Sequence, residues 1–355
     1  VTVRILEGHV LDVLATLADE SVHCVVTSPP YYGLRDYDLP PQVWGGDPHC
    51  TACQDIDAGA FCRHCGAWRG DLGLEPSPEL YIEHLLAVFR EVWRVLRADG
   101  TLWLNIADSY CSRGSASGAL AATGLRSPAR AHLARPEQGK PAIARRRRSW
   151  GEAKNKDLFL IPPRLALELR AAGWYVRKDN IVHKRNPIPE SVEDRTTSAH
   201  EYVFHLSKSE TYWYDAAAIR EPFVDDRMGR DGGRGQSERN RGGRTDGFTK
   251  PNNIDPSTNG GRNRRSVWTI STRPTPEAHF ATMAPLVAEI CILAGCPAGG
   301  VVLDPFLGSG TTAIVADRLA RDCIGIELSP GYVAMADRRA REPGFALLLP
   351  AEAAA

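Results

Sequence analysis

No stretch of this chain approaches the roughly 20 consecutive apolar residues that a membrane-spanning helix needs. The N-terminus shows no basic-then-apolar leader, so neither a membrane nor a secreted protein is expected. Cysteine is sparse, with nine in 355 residues. The number is odd, and a chain this long needs no disulfide framework, so reduced thiols in a cytoplasm are expected. No internal repeat is visible. Net charge is absent too: 43 Lys and Arg balance 43 Asp and Glu. That neutrality hides segregation. Arg113 to Lys156 holds eleven basic residues against two acidic ones, and Arg227 to Arg265 holds ten against four. Both segments are poor in large apolar residues and cannot bury enough surface to offset their ordering entropy. They are expected to be mobile without a ligand, and their charge points to a polyanionic partner.

What remains is alternating α/β pattern. Val3–Leu6, His23–Thr27, Thr101–Ile106, Tyr175–His183, Glu201–Leu206, Val301–Leu303 and Cys323–Ile326 read as strands. Leu11–Leu17, a helix opened by Ser77-Pro78, Pro163–Ala172, Ala284–Leu293 and Thr312–Leu319 read as helices. In the helix after Ser77, Tyr81, Leu85, Val88, Val92 and Val95 recur at spacings of three and four, which puts them on one buried face; Gly100 is expected to end it. Alternating strands and helices imply a mostly parallel sheet covered on both faces.

Two loops carry chemistry. Val301-Val302-Leu303-Asp304-Pro305-Phe306-Leu307-Gly308-Ser309-Gly310 is a strand, a glycine turn and a helix start, and Glu327 ends the next strand. Nucleotide-binding α/β folds place there the carboxylate that grips a ribose diol. A phosphate-cradling loop would need a lysine, but Gly310 is followed by Thr311-Thr312. Asp304 before the turn would repel a pyrophosphate and suits an amine. Ribose plus ammonium without phosphate points to S-adenosylmethionine. The second loop is Thr27-Ser28-Pro29-Pro30-Tyr31-Tyr32. Its prolines stiffen the backbone and fix the Pro29 carbonyl. Ser28 supplies a hydroxyl and Tyr31 a flat ring, so a planar amine could bond to hydroxyl and carbonyl together and localise its lone pair.

The pair Thr27-Ser28-Pro29-Pro30-Tyr31 and Asp304-Pro305-Phe306-Leu307-Gly308-Ser309-Gly310-Thr311-Thr312, in that order, resembles the β-class amino-methyltransferases that act on DNA. In that family the catalytic motif precedes the cofactor motif, a circular permutation of the usual order. The resemblance implies an α/β, circularly permuted Rossmann-like S-adenosylmethionine-dependent methyltransferase fold with a seven-stranded, mostly parallel sheet. It implies that Ser28, Pro29, Pro30 and Tyr31 hold a flipped base. Asp304, Phe306, Gly308, Ser309, Gly310, Thr311, Thr312 and Glu327 would line the cofactor, with His279 and Phe280 beside its methionine end. Phe280 replaces the family's usual proline, and Gly8-His9 stands where the family often shows Gly-Asp. Ser-Pro-Pro-Tyr members mostly methylate N4 of cytosine, and Asp- or Asn-Pro-Pro-Tyr members N6 of adenine. N4-cytosine is therefore ranked first and N6-adenine second. A C5-cytosine mechanism needs a thiolate, and the proline loop has no cysteine.

Cys50-x2-Cys53-x8-Cys62-x2-Cys65 is two short knuckles whose four soft thiolates fit a tetrahedral zinc ion. Four thiolates close the coordination shell, so a structural role is expected, bracing the catalytic loop or touching DNA. Cys24, Cys111, Cys291, Cys296 and Cys323 fall in apolar surroundings and are expected in the core.

The expected layout has a catalytic half at 1–215, with a zinc-knuckle insertion at 46–70 and a flexible basic insertion at 112–156. A basic target-recognition region follows at 216–266, a cofactor-binding half at 267–345 and a tail at 346–355. Arg145, Arg146, Arg147 and Arg148 suit phosphates, and Lys184, in Ile181–Pro189, another segment resembling the family's catalytic surroundings, is grouped with them as a DNA contact. Double-stranded DNA is the implied partner; a second copy of the chain and a cognate restriction endonuclease are partners to be tested. Two competing readings are a protein-glutamine methyltransferase, whose motifs run in the opposite order, and a non-catalytic zinc-containing DNA-binding protein.

Overall fold

The computed structural model describes residues 1–34, 39–53, 55–111, 153–187, 189–222, 261–271 and 283–341. Most of the basic insertion at 112–156, including Arg145 to Arg148, lies outside them, as do 223–260, His279 and Phe280 and the tail at 346–355.

The order is β1 (Val3–Glu7), α1 (Val10–Ala15), β2 (Val22–Thr27), β3 (Gln42–Trp44), β4 (Trp68–Gly70), α2 (Pro78–Val95), β5 (Leu96–Ile106), α3 (Ile161–Ala171), β6 (Tyr175–Lys184), β7 (His200–Ser207), β8 (Val267–Ile270), α4 (Pro285–Gly295), β9 (Val301–Asp304), α5 (Thr311–Arg318), β10 (Asp322–Glu327) and α6 (Pro330–Arg341). Ser77 caps α2, its hydroxyl accepting from the Leu80 N–H at 3.3 Å, with Pro78 in the first turn. The expected buried stripe from Tyr81 to Val95 is in place. Gly100 does not end the helix. Leu96 turns extended (φ −74°, ψ 136°) and the strand starts there. Gly100 lies inside β5, where the register against β2 slips between the Val22↔Leu96 and Cys24↔Thr101 pairs.

Among the described residues the main sheet has eight strands, in the order β1-β10-β9-β2-β5-β7-β6-β8. All seven expected strands are present. The eighth is β8, four residues that run parallel to β6 at the edge. Its buried Trp268 and Ile270 alternate with exposed Val267 and Thr269, a pattern too short to stand out beside a basic, glycine-rich stretch. The pairs β5–β7 and β7–β6 are antiparallel and the rest parallel. A core on one face joins the sheet to α1, α2 and α3, and a core on the other joins it to α4, α5 and α6. Cys24, Cys111, Cys291, Cys296 and Cys323 are all buried free thiols. Among the described residues no helix is long and apolar enough to cross a membrane.

The permutation positions the site. Strands β10 and β9, from late in the chain, slot between β1 and β2, from its start. Since β1, β10, β9 and β2 are parallel, the loops after β2 and β9 leave neighbouring strands at the same edge.

Candidate active site

At that edge lies a cavity of about 180 Å³. Ser28 and Pro30 of the proline loop line it, and so do Asp304, Phe306, Gly308, Ser309, Thr311, Thr312 and Glu327 of the glycine loop and its surroundings. Gly310, Pro29 and Tyr31 are not on its wall. Gly310 serves packing instead. It sits at φ +89°, and a Cβ there would meet the Ala336 Cβ at 2.8 Å, so the glycine lets α6 press onto the turn. A Cβ on Gly308 would meet no protein atom within 4 Å, because the cavity is in front of it.

Asp304 is buried, and its own protein holds it. Thr27 Oγ1 donates to one carboxylate oxygen at 2.7 Å, Thr312 Oγ1 to the other at 2.7 Å, and the Phe306 N–H to the first at 3.0 Å. Burial pushes this carboxyl up to about 6, although the Thr27 and Thr312 bonds pull the other way. Asp304 thus ties β9 to the end of β2 and the start of α5. Glu327 is held more loosely. One oxygen accepts from the Gly308 N–H at 2.8 Å and the other from the Ser329 N–H at 2.8 Å. Burial raises its carboxyl as well. Each oxygen keeps a lone pair for a ligand hydroxyl.

Two polar atoms on the cavity wall have no partner: Ser309 Oγ and His9 Nε2, both buried. Burial lowers His9, which favours the neutral imidazole. An orphaned hydroxyl, an open imidazole nitrogen, two carboxylates and the space before Gly308 suit a ligand with ribose hydroxyls and an ammonium group. The residues fit S-adenosylmethionine.

The sequence matches the DNA methylase family over residues 22–338. The chain belongs to that family, the N6/N4 amino-methyltransferases of DNA. This methylase is 37% identical over 337 residues to the type II methyltransferase M.SmaI of Serratia marcescens, covering 95% of this chain and 90% of that one. It is 38% identical over 335 residues to M.Cfr9I of Citrobacter freundii, covering 94% and 86%. Its fold is similar to that of the PvuII DNA methyltransferase (cytosine-N4-specific), with a TM-score of 0.57 at 16% identity over 97% of this chain and 88% of that one.

The methylase holds its proline loop from several sides. Tyr81 donates to the Pro30 carbonyl at 2.7 Å, Ser109 Oγ to the Tyr32 carbonyl at 2.7 Å, and the Gly33 N–H to the Gly73 carbonyl at 2.7 Å. Ser28 Oγ donates to the Tyr31 hydroxyl at 3.3 Å, which lies 3.4 Å from both Asn105 Oδ1 and Glu201 Oε2. Burial first, and then the Glu201 charge, raise the Tyr31 phenol well above its ordinary range. Lys184 pairs with Glu201. Sequence reading grouped Lys184 with DNA contacts; here it anchors a line of polar groups that reaches Ser28. Asn105 and Glu201 were missed. They sit in apolar-looking strands with no motif, and only the pairing of β5 with β7 brings them together.

Gln42, Trp44, Asp71 and Leu72 also line the cavity. Sequence reading had no signal for them, since they reach the wall through β3 and β4, two three-residue strands that pair on either side of the cysteine loop. Trp44 and Trp68 are both buried. The Sγ atoms of Cys50, Cys53, Cys62 and Cys65 all lie within 4.8 Å of one another, with Cys50–Cys62 at 3.8 Å and Cys53–Cys65 at 3.2 Å. Backbone N–H groups of Ala67 and Asp47 pull the Cys65 thiol down to about 6. Of the proposed recognition region, the described ends are clamped together. Glu221 and Arg262 exchange backbone bonds at 2.9 Å, and the Glu221 carboxylate pairs with Arg262 and Arg265.

Proposed function

We propose that this methylase transfers a methyl group from S-adenosylmethionine to the exocyclic N4 amine of a cytosine turned out of duplex DNA. The observation that carries the reading is the shared cavity: Ser28 and Pro30, from the start of the chain, face Gly308 and Glu327, from its end, across one space. S-adenosylmethionine supplies an electrophilic methyl when bound. On the protein side, Glu327 accepts from a ribose diol, while Ser309 and His9 gain partners they lack. Ser28 Oγ and the Pro29 carbonyl take the hydrogens of the target amine and direct its lone pair into the cavity. The hydroxyl line from Ser28 through Tyr31 to Glu201 gives the amine's surplus proton a route outward. Turning the base out of the stack costs a few kcal/mol, which contacts in the pocket offset. Orientation and exclusion of water then do most of the catalytic work.

The Ser-Pro-Pro-Tyr loop supports cytosine over adenine as the target. Nucleosides from DNA methylated by the purified protein, separated and weighed by mass spectrometry, check this. N4-methylcytosine is expected, and N6-methyladenine in its place would move the assignment to adenine. Arg145 to Arg148 are assigned to phosphates of duplex DNA, so replacing all four with alanine should weaken DNA binding and flatten its dependence on salt. Zinc is assigned to the four cysteines, whose thiols match its preferred donors and closed tetrahedral shell.

A further inference from the structure

The cysteine cluster does not stand apart from the active site. The chain enters the cysteine loop through β3 and leaves it through β4, and β3 and the residues just after β4 border the cavity. Gln42 and Trp44 lie on one side, and Asp71 and Leu72 follow on the other. Trp44 is the keystone of this wall. Its indole N–H donates to the Gly70 carbonyl at 3.1 Å. Its ring stacks on His84 at 5.4 Å and meets His9 edge-on at 4.6 Å. Trp68, its register partner, stacks on the same His84 at 5.7 Å. His84 is bonded to the buried Glu75 at 2.9 Å, and Glu75 accepts from Gly73 through its carboxylate and from Tyr32 through its carbonyl. The wall is therefore continuous with the proline loop.

The far end of this wall has hydrogen bonds, such as Arg69 N–H to the Ala60 carbonyl at 3.0 Å, but little apolar packing to hold it. Two strands with three residue pairs are marginal on their own. Among the described residues, the buried side chains of the cysteine loop are Cys53, Cys62 and Ala67, too small a core to order a segment of that length. Zinc–sulfur bonds of about 2.3 Å in a tetrahedron place the sulfurs about 3.8 Å apart, and the sulfur separations here bracket that spacing. A Cβ on Gly46 would lie 2.8 Å from Cys65 Sγ, so the end of β3 is seated directly against a ligand.

We propose that zinc held by Cys50, Cys53, Cys62 and Cys65 sets the Trp44 wall of the cavity, so that metal occupancy and cofactor affinity are coupled. This rests on the reading of the cavity as the S-adenosylmethionine site. Coupling of this kind is reciprocal: if zinc tightens the cofactor by some factor, the cofactor tightens zinc by the same factor.

The test uses the full-length protein. Zinc is counted by elemental analysis, and the affinity for S-adenosylmethionine is measured by calorimetry before chelation, after it, and after zinc is restored. One zinc per chain is expected. Its removal should weaken cofactor binding about tenfold while the far-ultraviolet dichroism of the main sheet persists, and zinc should restore it where magnesium does not. Should the chelated protein unfold, Trp44→Ala in the zinc-loaded chain replaces that arm: cofactor affinity should fall with zinc retained. Zinc present and removable, or Trp44 absent, with cofactor affinity unchanged overturns the coupling and leaves the proposed function standing. A protein that never carries zinc overturns the metal assignment. A zinc-loaded protein that binds no S-adenosylmethionine overturns the reading of the cavity itself.

Discussion

The ends of β9 and β10 invite comparison. Each finishes in a carboxylate, each carboxylate is raised by burial, and both line the same cavity. Asp304 is engaged by two hydroxyls and an N–H, which join three elements of the fold. Glu327 is held by backbone N–H groups, those of Gly308 and Ser329 at 2.8 Å among them, and by no side chain among the described residues. Residues that look alike in a motif thus divide the work: one holds the cavity together and the other faces what enters it.

Removing Asp304 should have the largest effect. Asp304→Ala strands two buried hydroxyls and a backbone N–H, and should cost about 3 kcal/mol or more, seen as a lower urea midpoint. Glu327→Gln should cost only about 1 kcal/mol but weaken S-adenosylmethionine binding about tenfold by calorimetry. If both variants lose stability equally, the division fails. A pH series sharpens it. Between about pH 4 and pH 6 the folded chain holds the Asp304 proton more tightly than the unfolded chain does, so this carboxyl makes stability fall as pH rises through that window. Asp304→Asn removes that contribution. The unfolding free energy of the variant relative to the parent should therefore climb from pH 4 to 6 and level off above. Ser309→Ala should be the gentlest change. Its hydroxyl has no partner in the protein, so stability should hold within about 0.5 kcal/mol while cofactor affinity drops measurably.

Much of this was legible in the sequence because it follows from local chemistry. Local pattern, the Ser77 cap and stripe from Tyr81 to Val95 among it, and the order of the two loops gave seven strands, five of the six described helices and the pairing of Ser28 with Gly308, but not α6. What stayed hidden depends on pairing between distant segments. Trp44 and Asp71 reach the cavity through a three-residue ladder. Glu201 reaches Tyr31 because β7 runs antiparallel beside β5. Asp304 read as a ligand for a cation, and nothing in its neighbours along the chain shows that Thr27, far earlier in the sequence, already bonds to it. Gly100 misled because a glycine after a helix usually ends it, whereas here Leu96 turns the chain first.

The seating of β9 and β10 between β1 and β2 also has a cost in time. A ribosome making this protein exposes β1 and one edge of β2 long before β9 and β10 exist: the partner of Val3 and the β9 neighbour of Cys24 arrive some three hundred residues later, although β5 covers the other edge of β2 sooner. Early in synthesis those strands have bare edges of the kind that recruit other chains. The cavity cannot appear until β9 and β10 have been made, so a chain cut short before β9 would lack it from the outset.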